Sequence, residues 1–155
     1  MKDKNETTGL LNDLIQINHD RMEAYYKAIE ELKPSDIDLR TLFTNMANHS
    51  AQFMTELKGE ITRSGKTPDD STQPGKIYRL WTDIRATVSG HDRRSLIALC
   101  EFGEDAVLKA YDEAIATANE LPADIRQIIV NQRSNLKSAH DVVKRYRDMH
   151  QAVTR

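Results

Sequence analysis

A chain of 155 residues with 39% apolar and 30% charged side chains can bury about 70% of the surface its unfolded form exposes, so it needs no disulfide or metal to fold. Six glycines and four prolines are too few for a turn-rich β fold or a disordered chain. The 22 basic and 24 acidic side chains are dispersed and leave a net charge of -2, which excludes a strong field for nucleic acid or an anionic membrane.

The first predicted helix covers about residues 8–32, with Leu11, Ile15, Met22, Tyr25, Ile29 and Leu32 at alternating four- and three-residue spacing and Asn18 filling the gap. Pro34 ends it, because the residue before a proline is pushed out of helical geometry. Ser35 and Asp38 are spaced as a capping box that opens a second helix over 36–64. That helix carries Leu39, Phe43, Met46, Phe53, Leu57 and Ile61 inward, Ser50 in the seam and Gly65 as its stop. The polar run from Lys66 to Gln73 reads as a loop.

Over 75–88, Ile77, Leu80, Trp81, Ile84 and Val88 share one face, which predicts a short helix docked on the bundle and closed by Ser89 and Gly90. Asp92 is placed to cap the next helix, 92–118, whose inner face is read as Leu96, Leu99, Cys100, Val107, Ala110 and Ala114, with Gly103 within it. Cys100 lies in an apolar run and reads as a small buried hydrophobe rather than a reactive thiol. A tight turn from Asn119 to Pro122 leads to the last helix, 122–152, with Asp124 in its first turn. Its seam is Ile125, Ile129, Gln132, Leu136, Ala139, Val143 and Tyr146.

Two hairpins of long helices joined by some two dozen residues fit a ferritin-like four-helix bundle, with a long crossover between the second and third long helices carrying the short extra helix. Residues 1–155 then form a single domain. The alternative is an up-down-up-down bundle whose middle connection doubles back. No stretch approaches the ~18 consecutive apolar residues of a membrane span, and the polar Met1 to Gly9 is unlike a secretory leader, so a cytoplasmic protein is expected.

Di-iron bundles use a Glu from each of two helices and a Glu-x-x-His pair from each of the others. Here the residues three before His49 and His140 are Met46 and Lys137, so both bridging carboxylates are missing. Helical geometry places Asp20, Glu23 and Glu101 away from the seams and Glu104, His49 and His140 on the flanks. Asn18, Ser50, Gly103 and Gln132 face the axis near mid-length, as a satisfied polar layer that fixes register would. A single iron or manganese ion held by Glu104 and His140, with His49 or Glu101, is the metal reading that survives. No nucleophile elbow, phosphate loop or paired-cysteine motif is present, which favours a non-enzymatic protein.

The segments LLNDLIQINHDRMEAYYKAIEEL, CEFGEDAVLKAYDEAI and SAHDVVKRYRD, with GKIYRLWTDIRATVSGHDR between them, resemble a bacterial family of small ferritin-like four-helix-bundle proteins classed as a domain of unknown function. The resemblance implies the fold, a bacterial origin and a cytoplasmic or stress-related setting, and it brings no ligand set. Two functions follow as expectations. The first is a non-catalytic bundle acting on another protein or on copies of itself, with neither nucleic acid nor membrane as partner. The second is a metal-binding redox or storage protein.

Overall fold

The computed structural model describes residues 4–69, 73–87, 90, 92–117 and 120–154. Among the described residues five α-helices follow in order: α1 (Lys4–Glu30), α2 (Ile37–Arg63), α3 (Lys76–Thr87), α4 (Arg93–Ala116) and α5 (Ala123–Thr154). Expectations for Val88, Ser89, Asn119 and part of the loop after Lys66 lie outside the described residues.

Where each helix starts and stops has a local cause. Gly65 takes φ +86°, its N–H donates to Thr62 O and the Lys66 N–H to Ile61 O, which closes α2 in a Schellman motif. Asp92 accepts from the Ser95 N–H at 2.8 Å and caps α4 as expected. Pro122 supplies the carbonyl of the first turn of α5. The capping box expected at Ser35 and Asp38 does not form. Asp36 stands at the N-cap position of α2 without a side-chain cap bond: its carboxylate accepts from the Lys33 N–H at 3.1 Å and from Arg93 at 3.3 Å, and that of Asp38 accepts from Arg93 at 2.8 Å.

The four long helices form a square in which α1 neighbours α2 and α4, and α5 neighbours α4 and α2. Arg21 meets Glu104 and Asn18 meets Tyr111, so α1 and α4 run antiparallel, and α2 and α4 lie parallel across the diagonal. Parallel neighbours in the chain require the long crossover, which gives the ferritin-like arrangement rather than up-down-up-down. The crossover helix α3 packs on α1 and α4, burying Ile77 and Trp81 as expected. Asp20, which points away from the α1 seam, is buried by this crossover: it accepts from the Gly75 N–H at 2.9 Å, at the start of α3. A Cβ on Gly75 would lie 2.5 Å from Asp20 Oδ2, so only glycine lets the chain approach α1 this closely.

Beside a small cluster of Ala24, Trp81 and Leu99 where α3 docks, the apolar core falls into two larger clusters. One gathers Leu11, Leu14, Phe53, Leu57, Ile61, Tyr111 and Ile129, the other Tyr25, Leu39, Phe43, Met46, Leu96, Cys100 and Val143. Each fully buried Leu or Ile contributes about 1.5–3 kcal/mol relative to exposure. On α1 the buried stripe is broader than the predicted seam: Leu14, Ala24 and Ala28 are buried, whereas Met22 and Ile29 are half-buried. Between the two clusters lies a polar slab.

Candidate functional site

Arg21 anchors that slab. Only 3% exposed, it projects from α1 into the bundle, where its Nε donates to both oxygens of Glu104 at 3.1 and 3.2 Å and its Nη2 to Oε1 at 2.8 Å. Its Nη1 donates to the Met46 carbonyl at 3.1 Å and to Ser50 Oγ at 2.9 Å, and the guanidinium lies over the Tyr25 ring, 5.4 Å from its centroid. Tyr25 donates its phenolic hydrogen to Glu104, which is 1% exposed. A buried arginine with one buried carboxylate is electroneutral, and its donors are distributed over α2 and α4.

The neighbouring layer carries no charge. Ser50 Oγ donates to Asn18 Oδ1 at 3.0 Å, Asn18 Nδ2 donates to Tyr111 Oη at 2.8 Å and to the Leu14 carbonyl at 2.9 Å, and Tyr111 donates to Gln132 Oε1 at 2.6 Å. Gln132 Nε2 in turn donates to the Phe53 carbonyl at 3.3 Å and to Glu56 at 3.2 Å. The hydrogen bonds thus run unbroken from Glu104 through Arg21, Ser50, Asn18, Tyr111 and Gln132 to Glu56 at the surface, touching all four long helices. Asn18 and Gln132 are buried and bonded as expected, and Ser50 belongs with them. Gly103 does not face the axis: it faces Trp81 of α3, and Glu104 and Tyr111 fill that level of α4.

Electrostatics follow the burial. Desolvation opposes the Arg21 charge, but Glu104, Tyr25 and Tyr111 together outweigh it and raise the guanidinium pKa. Burial, with Glu104 alongside, pushes the Tyr25 hydroxyl well above its usual range, and burial also raises Tyr111 and the Cys100 thiol. All three stay protonated at neutral pH, so Cys100 is no thiolate nucleophile. A cavity of about 20 Å³ beside Trp81, Cys100 and Glu104 has room for a single water.

The four residues read from the sequence as metal candidates have separate partners. Glu104 pairs with Arg21, and Glu101 on the outer face of α4 pairs with Arg147 of α5. His140 sits between Asp105 and Asp141, the latter 3.4 Å from Nδ1. His49 is exposed on α2 and stacks on Phe53 at 6.5 Å between ring centroids. Among the described residues, no three His, Cys, Asp or Glu side chains converge as a metal site would require. The flank position read for Glu104 is corrected: Leu96, Cys100, Glu104, Val107, Tyr111 and Ala114 form the buried stripe of α4, one residue out of phase with the Gly103 and Ala110 reading. Sequence reasoning missed Arg21 and Tyr111. The available signal was spacing, since Arg21 lies between Asn18 and Tyr25 on one stripe and Tyr111 lies two turns beyond Glu104.

The same architecture occurs in solved structures of low sequence identity. A Dps1 mutant from Mycobacterium smegmatis superposes with a TM-score of 0.84 at 14% identity, covering 95% of this chain and 99% of that one. Dps from Staphylococcus aureus gives 0.76 at 14% identity, covering 95% and 98%. A ferritin-like, diiron-carboxylate protein from Bacillus anthracis str. Ames gives 0.70 at 15% identity, covering 95% and 99%. At these identities the likeness concerns the fold alone. No curated protein matches the sequence. The model of a domain of unknown function, DUF2383, matches residues 6–117, and the chain therefore belongs to that ferritin-like family.

Proposed function

We propose that this protein is a non-catalytic ferritin-like bundle that acts by associating with protein, in the first place with copies of itself, in a bacterial cytoplasm and a stress-related setting. In this reading residues 1–155 are one domain. The observation that carries it is the Arg21–Glu104 pair. At mid-bundle, where a di-iron protein gathers carboxylates and imidazoles, this chain puts a guanidinium cation against its one central carboxylate. A cation there repels a second cation, and Glu104 is already occupied by Arg21 and Tyr25. The residues do not fit a two-metal centre. The bacterial setting rests on the sources of the similar structures and on the family resemblance.

The competing reading is an iron- or manganese-binding redox or storage protein with a non-standard site drawn from Glu104, His140, His49 and Glu101. It would require Glu104 to leave Arg21, and His140 to leave Asp105. Elemental analysis of untagged protein, followed by anaerobic ferrous titration with an oxygen-consumption assay, separates the two. The proposed function expects no stoichiometric metal and no ferroxidase turnover. One ion per chain would establish the non-standard site, and two with turnover would overturn the whole argument from the donor set.

A further inference from the structure

Charge is distributed unevenly over the four outer faces of this bundle. Residues 41–55 of α2 (TLFTNMANHSAQFMT) contain no Asp, Glu, Lys or Arg, in a chain where 30% of residues are charged. The stretch is not buried: Thr41, Thr44, Asn45, Asn48, His49, Gln52 and Thr55 are all exposed. On α5 the stripe beside it, Asn131, Asn135, Ser138 and Val142, is uncharged as well. Between the two helices runs an open groove of about 380 Å³ with Met46, Phe53 and Ala139 in its walls. Charge returns at both ends, with Arg93 and Asp38 paired at one, and at the other Glu56, bonded to Gln132, followed by Arg63 with Asp124 at 4.0 Å. Among the described residues the other interhelical pairs lie elsewhere: Arg133 with Asp112, Arg147 with Glu101 and His140 with Asp105 across α4 and α5, Arg85 with Glu31 across α3 and the end of α1, and Arg21 with Glu104 in the interior.

We propose that the uncharged α2/α5 face is where two copies of this chain meet, α2 antiparallel to α2 about a twofold axis near Asn48 and His49. The inference rests on the self-association reading above and names its surface. A twofold interface sets a patch against itself, so any charge near the axis meets its own sign. Asn, Gln, Ser, Thr and neutral His both donate and accept hydrogen bonds, and so pair with themselves without burying an ion. That requirement accounts for four exposed turns without charge, whereas a charged partner would select for opposite charges on this face.

The axis pairs Asn45 of one copy with Gln52 of the other. Sedimentation velocity over a concentration series should find the wild-type protein dimeric or larger. The variants Asn45→Glu/Gln52→Glu and Asn45→Lys/Gln52→Lys, both altered only at exposed positions, should each weaken the dimer by about a hundredfold or more, as like charges are brought together. Mixing the two variants should restore the dimer as a heterodimer. Lys109→Glu, on the exposed side of α4, should leave assembly unchanged, and circular dichroism confirms that all variants fold. A wild-type monomer at every concentration overturns both the surface and the self-association reading. An oligomer indifferent to both double variants overturns the surface alone.

Discussion

The two halves of the polar slab share α1, α2 and α4, with α5 joining only the neutral half through Gln132, and their main difference is charge. The Arg21 layer concentrates one cation and one anion with donors aimed at fixed acceptors, whereas the Asn18 layer closes its hydrogen bonds with neutral groups. Both are satisfied, but they fail differently. A broken neutral layer leaves an unpaired dipole; a broken charged layer leaves an unpaired ion in the core, which costs several times as much. The charged layer should therefore be fixed against single changes while the neutral one tolerates them.

The largest expected effect is that of Arg21→Met. It strands Glu104 among Tyr25 and apolar neighbours and should cost about 3–5 kcal/mol, read as a lower urea midpoint at unchanged m-value. Replacing Arg21, Glu104 and Tyr25 together by Met, Leu and Phe should recover most of that loss, because no ion is then buried. Failure of the triple variant to recover would show that the pair contributes more than mutual neutralisation.

Tyr111→Phe tests the neutral layer. Asn18 and Gln132 each lose a partner, and the cost should be about 1–3 kcal/mol, below that of Arg21→Met. The same variant sharpens the pH behaviour. Tyr25, Tyr111 and Cys100 have folded-state pKa values raised by burial, so the folded protein holds its protons longer than the unfolded chain. Their stabilisation is complete below the unfolded values, about 8.5 for Cys and 10 for Tyr, and is lost as pH rises above them. Each group contributes a slope of up to about 1.4 kcal/mol per pH unit. Urea midpoints from pH 8 to 11 should fall progressively, and above pH 10 Tyr111→Phe should show the shallower fall. An equal slope would place the alkaline loss elsewhere.

The smallest effect is at Gly103. A Cβ there would meet Trp81 Cδ1 at 3.8 Å, an ordinary van der Waals contact, so Gly103→Ala should fit. Removing a mid-helix glycine should stabilise α4 by up to about 1 kcal/mol. A loss of stability, with a red shift in the emission of Trp81, would mean that α3 needs more space than one methyl leaves.

Sequence by itself determined the architecture. Alternating four- and three-residue apolar spacing fixed five helices and Gly65 and Asp92 two of their ends, while two hairpins with one long connection favoured the ferritin-like order that the α1–α4 contacts then decided. These are local properties, legible because a helix exposes its period along the chain. Tertiary structure alone decided what stands in the middle. An arginine reads as surface from its own window, and Arg21 becomes interior only because Glu104, distant in sequence, reaches it from α4 while Met46 and Ser50 offer acceptors from α2. Asp20 likewise becomes buried only when the crossover brings Gly75 against it, and Asp38 in the first turn of α2 gains a partner only because Arg93 arrives from α4. A long-range partner reverses the burial preference of a charged side chain, and the spacing that sets Arg21 on the stripe of Asn18 and Tyr25 does not say which partner arrives.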